Sequence, residues 1–71
     1  MTNTELLSKL IKDSGLKLQF IAEKMGISRS SLNNKIQNRT EFRAGEIESL
    51  CSILGINTIE ERHRVFFWHE G

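Results

Sequence analysis

The sequence predicts an all-α domain of five short helices, and three observations carry that expectation. Apolar residues recur at helical spacing in successive stretches of the chain. Gly15, Gly26 and Gly55 fall where three of those stretches stop, as helix C-terminal residues do. With no proline and only 5 glycines, the composition suits short helices joined by tight connections. The organising stretch is Leu18 to Asn38, where two short helical patterns meet at Met25-Gly26-Ile27-Ser28.

Taken in order, Thr2-x-x-Glu5 reads as a capping box that starts helix 1 near Asn3. Leu6, Leu7, Leu10 and Ile11 form its apolar stripe, Gly15 ends it, and Leu16 is placed to fold back over the last turn. Helix 2 is expected over Leu18 to Met25, with Ile21, Ala22 and Met25 on one face and Lys17 as a poor N-cap. Phe20 lies off that face and is expected to pack against a neighbouring helix. Ala22 is the small residue that lets two helices approach closely. Gly26 can take the left-handed conformation, and Ser28 can offer its hydroxyl to the first free amides of helix 3.

Helix 3 is expected over Arg29 to Gln37. Leu32 and Ile36 are its only apolar residues, so Arg29, Ser30, Asn33, Asn34 and Lys35 are left either solvated or covered by a polar partner. Such a pair of helices is a helix-turn-helix, the unit that places its second helix in the DNA major groove, here over residues 18–37. Asn38-Arg39-Thr40-Glu41 is a polar loop, with Phe42 plugging the core beneath it. Helix 4 follows over Ala44 to Leu54, its buried face marked by Ala44, Ile47, Leu50, Cys51 and Leu54. Arg43 stands at its N-cap, where Ser or Thr would serve better, and Glu46 can support the helix start. After Gly55, Thr58-x-x-Glu61 is a second capping box that opens helix 5. In the tail, residues 66–71, the run Val65-Phe66-Phe67-Trp68 is too apolar for a free end. One of Phe66 and Phe67 is expected to close the core against helix 1. The other, with Trp68, is expected to anchor a second subunit.

At 71 residues the chain has room for a single domain, residues 1–71, whose small core supplies only about 3–5 kcal/mol, so an oligomer is favoured on stability alone. No apolar run reaches membrane-span length and no signal peptide precedes helix 1, which predicts a cytoplasmic protein. The single cysteine, Cys51, agrees with a reducing compartment. The net charge of +1 is unlike a nucleic-acid binder, but the distribution is informative. Residues 1–43 hold eight Lys and Arg against four Asp and Glu, whereas residues 44–71 hold two against five. The half with the helix-turn-helix is basic, the polarity expected of a face turned to phosphate.

Ile21-Ala22-x-x-Met25-Gly26-Ile27-Ser28, followed by Leu32, resembles the helix-turn-helix of the phage Cro and repressor family, of Xre type. Asn34-Lys35-Ile36, Thr40-Glu41-Phe42, Glu46-Ile47, Leu50-Cys51-x-x-Leu54-Gly55-Ile56 and the Phe66-Phe67 pair extend the resemblance over nearly the whole chain, to small Cro-like proteins from prophages of Gram-positive bacteria. The resemblance implies a five-helix lambda-repressor-like fold and a dimeric, nucleoid-associated transcriptional regulator, most simply a repressor that occupies an operator. It implies no cofactor, metal or small-molecule substrate.

By the same resemblance Arg29 and Ser30 hold the main base-reading positions, with Asn33 and Asn34 one turn later. An arginine can grip guanine O6 and N7, and an asparagine adenine N6 and N7, with two hydrogen bonds each. Gln19 resembles the glutamine that family members set on phosphate, near the free amides of a helix start. Lys17, Asn38, Arg39, Thr40 and Arg43 flank the two helices and are expected on the DNA backbone. Lys35, where many relatives are apolar, is expected to lay its methylenes on the core edge and send its charge to a phosphate. One domain reads few base pairs, so two copies on a near-palindrome with half-sites about 34 Å apart are expected. The second reading is a protein-interaction module or antitoxin acting through Phe67 and Trp68. An enzyme is the weakest reading. Cys51 lies on a buried helix face, and His63 and His69 belong to no metal-binding signature.

Overall fold

The computed structural model describes residues 1–67, and among them are five helices and no strand: α1 (Thr4–Ser14), α2 (Leu18–Met25), α3 (Arg29–Ile36), α4 (Ala44–Leu54) and α5 (Ile59–Phe66). The ends follow local chemistry. Gly26 closes α2 at φ 74°, in the left-handed region that costs a side chain but not glycine. Its N–H donates back to carbonyls of the last turn, and Ile27 N–H does the same to the Ala22 carbonyl at 3.0 Å. Two residues later the Ser28 hydroxyl accepts the Ser31 N–H at 3.0 Å and starts α3. Thr58 caps α5 in the same way, accepting the Glu61 N–H at 3.1 Å.

Three local expectations are corrected. The cap of α1 is Asn3, whose side chain accepts the Leu6 N–H at 3.2 Å, so the Thr2-x-x-Glu5 box does not form and Thr2 is buried instead. Phe20 is not covered by a neighbouring helix: it is 42% exposed, with the Lys24 ammonium 5.5 Å from its ring centroid. Ala44 is exposed in the first turn of α4 rather than on its buried face. At the start of that helix Arg43 has no side-chain acceptor to give. Only half of a capping box forms, the Arg43 N–H donating to Glu46 Oε1 at 2.8 Å.

The core draws on every helix: Leu7 from α1, Ile21 and Ala22 from α2, Leu32 and Ile36 from α3, Ile47, Leu50 and Cys51 from α4, Val65 and Phe66 from α5. Ile56 joins them from the α4–α5 connection. Full burial of a leucine or isoleucine stabilises by about 1.5–3 kcal/mol before entropy is counted. Leu32 and Ile36 are therefore enough to seat α3 while its other residues face outward. α2 packs against both α3 and α4, and Ala22, with no exposed surface, keeps those approaches close. Of the two tail phenylalanines, Phe66 is the one that closes the core. It packs edge-on to Phe42 with ring centroids 5.4 Å apart, while Phe67 stays 43% exposed. Trp68 and the rest of the tail lie outside the described residues.

The chain start is strapped to two helix ends. Asn3 N–H donates to the Val65 carbonyl at 2.7 Å, and the Thr4 hydroxyl donates to the Ile36 carbonyl at 2.6 Å. The Ile36 carbonyl is one of the acceptors left free where α3 ends.

Candidate nucleic-acid interface

Ser28 starts α3 in a direction that leaves Arg29, Ser30 and Asn33 exposed on its first turns. Together with Leu18, the first residue of α2, these three line an open depression of about 480 Å³. Among the described residues Arg29 has no ion-pair partner, and the side chains of Ser30 and Asn33 make no hydrogen bond. The guanidinium, hydroxyl and amide are thus free to meet an outside partner without breaking an internal contact. A salt bridge that would make Arg29 an ordinary surface residue is absent from the described residues. Leu18 is drawn into this group by the packing of α2 against α3, a neighbour relation that no periodicity within one helix reveals.

The remaining expected residues divide into those left outward and those used internally. Asn34 is half-buried one turn further on, its Oδ1 accepting from Arg39 Nη1 at 3.2 Å. Lys17, Gln19, Arg39, Thr40 and Arg43 are all exposed. Gln19 Nε2 donates to Glu23 Oε1 at 3.2 Å, an exposed contact that water or phosphate can replace. Lys17 caps α2 by backbone alone, which leaves the first amides of that helix without a side-chain acceptor.

Two of the expected residues are engaged within the protein. Lys35 is buried. Its Nζ lies 2.9 Å from Glu46 Oε1 and donates to the Glu41 carbonyl at 3.2 Å, tying α3 to the loop and to α4. Its ammonium is paired inside the protein, which corrects the expectation of a charge directed outward to a phosphate. The reason is positional: Lys35, three residues after Leu32 and beside Ile36, falls on the packed side of α3, and Glu46 meets it there. For Glu46, burial pushes the carboxyl pKa up, but the Arg43 N–H and the Lys35 ammonium outweigh it, and the net shift is downward.

Asn38 is likewise committed. It adopts φ 63°, which asparagine tolerates better than most residues, and its amide pairs with the backbone of Thr2. Oδ1 accepts the Thr2 N–H at 2.9 Å, and Nδ2 donates to the Thr2 carbonyl at 2.8 Å and to Thr4 Oγ1 at 3.3 Å. The side chain ties the chain start to the end of α3, while the residue stays exposed.

Residues 6–61 match the Cro/C1-type helix-turn-helix DNA-binding domain. The chain belongs to that family. The Cro/C1-type match runs from the first turn of α1 into α5 and includes both helices of the turn unit. The five helices, without strands among the described residues, are those of a lambda-repressor-like domain. Family membership makes this a helix-turn-helix regulator that binds double-stranded DNA. No curated protein and no solved structure matches the chain.

Nothing else among the described residues offers chemistry of comparable definition. Cys51 is buried, and burial raises its thiol pKa against the lowering influence of Arg62, which disfavours the reactive thiolate. No group of three His, Cys, Asp or Glu that could hold a metal occurs among the described residues. No described helix is long and apolar enough to cross a membrane.

Proposed function

We propose that this chain is a phage- or prophage-type Cro-like repressor that binds a near-palindromic operator as a dimer. In this reading α3 lies in the major groove. Arg29 and Ser30 meet base edges first and Asn33 and Asn34 follow one turn later, while Lys17, Gln19, Arg39, Thr40 and Arg43 hold the phosphates. The observation that carries it is the group of free polar side chains on the exposed start of α3, Arg29, Ser30 and Asn33, in a chain of the Cro/C1-type family. A dimer supplies the second half-site that one small domain lacks, and Phe67 is, among the described residues, the exposed aromatic nearest the chain end to support it.

Selection of binding sites from a random duplex library, followed by sedimentation of the complex, tests this reading. A site with two related half-sites and two chains per duplex supports it. A single short site with one chain bound removes the dimeric operator.

A second reading rests on a different observation. Met1, Phe42, Phe66 and Phe67 help line an open depression of about 420 Å³, and Met1 is 65% exposed. An interaction module or antitoxin would use that aromatic surface. Loss of a partner on Phe67→Ala, with duplex binding intact, would favour it.

A further inference from the structure

We propose that Leu18 is a specificity-determining residue that recognises the C5-methyl group of a thymine beside the base pairs read by Arg29 and Asn33. The inference rests on the reading that α3 enters the major groove.

Leu18 is the first residue of α2 and is only half-buried. Part of its side chain packs on the core, and the rest forms a wall of the open depression shared with Arg29, Ser30 and Asn33. Those three side chains are exposed and polar, so Leu18 is the apolar member of the four. A duplex that presents base edges to Arg29 and Asn33 brings neighbouring base edges against Leu18. In the major groove those edges carry hydrogen-bonding groups, with one apolar exception, the thymine methyl. A cytosine there would set a hydrated amino group against the leucine. A thymine would remove both apolar surfaces from water. Burying one methyl-sized group changes affinity about fourfold.

The test replaces each thymine of the selected site in turn with deoxyuridine, which deletes the methyl and leaves the pairing edge intact. Affinities are measured for the full chain and for Leu18→Ala and Leu18→Gln, each checked for helical content by circular dichroism. At one thymine per half-site, uracil is expected to weaken the unmodified protein about fourfold, whereas Leu18→Ala binds the two duplexes alike. Leu18→Gln retains side-chain length and is expected to lose the same preference, which keeps the comparison available should the smaller residue unfold the domain. Equal binding of thymine and uracil duplexes by the unmodified protein at every position overturns the inference. So does a uracil penalty that persists in both variants. If no preferred site emerges from the selection, the reading by α3 falls, and Leu18 with it. If a preferred site is weakened by Arg29→Ala but indifferent to uracil, the reading by α3 stands and only Leu18 falls.

Discussion

Replacing Lys35 with methionine separates an internal anchor from a phosphate contact. In the folded chain the Lys35 and Glu46 side chains are 10% and 16% exposed and 2.9 Å apart, and the ammonium also reaches the Glu41 carbonyl. Removing one partner of a fully buried pair costs about 3–5 kcal/mol. Here the orphaned Glu46 carboxylate keeps the Arg43 N–H and some water, so the expected cost is nearer 2 kcal/mol, roughly. A core of this size supplies only about 3–5 kcal/mol in all, so the loss is readily measured by urea unfolding. Glu46→Gln should cost a similar amount. The double substitution should cost less than the two together, with a coupling of about 1 kcal/mol or more. The second readout is the salt dependence of DNA binding at a temperature where the variant is folded. A lysine on a phosphate contributes about 0.9 to the slope, so an internal Lys35 predicts an unchanged slope on substitution. Additive stability effects, or a slope reduced by that amount in the folded variant, would refute the anchor.

Other outcomes follow from the same contacts. Asn38→Gly keeps the φ of 63° but deletes three side-chain hydrogen bonds, and should destabilise by about 1–3 kcal/mol; Asn38→Ala should cost about 1 kcal/mol more, because alanine resists that backbone, and equal effects in thermal unfolding would argue against the lock. Because the Glu46 pKa is depressed in the folded state, its contribution is present above the ordinary glutamate range and lost as pH falls through that range to the depressed value below it. Unfolding measured from neutral to acid pH should show this loss in the unmodified protein and less of it in Glu46→Gln. Cys51 should react with a thiol reagent only as fast as the core opens, so rapid labelling without denaturant would contradict its burial.

The helix layout was legible because its signals are local. The bounds of α2 and α4 and the starts of α3 and α5 follow from apolar spacing, from Gly26 and Gly55, and from the Ser28 and Thr58 caps, all within a few residues of one another. The exposed start of α3 was legible for the same reason: two apolar residues cannot bury eight. What escaped local reading is polar and long-range. Asn38 and Thr2 lie 36 residues apart, and Thr4 and Ile36 lie 32 apart. Nothing in either segment shows that an amide will pair with a particular backbone once the helices pack. Lys35 carried a partial signal, since it stands three residues after Leu32 and beside Ile36, but its partner Glu46 belongs to the next helix. The shift of the first cap from Thr2 to Asn3 has the same origin: Asn38 already holds the backbone of Thr2, and the helix begins one residue later. Leu18 looked like an ordinary helix start until α2 and α3 were set side by side.

The most direct test of the central claim, that the exposed start of α3 reads DNA sequence, is the affinity of Arg29→Ala for the selected site and for single-base variants of it, beside the unmodified protein. The account predicts a loss of about 1–3 kcal/mol on the selected site, with preference relaxed at one position per half-site and retained elsewhere. An unchanged pattern of base preference in the folded variant would contradict it.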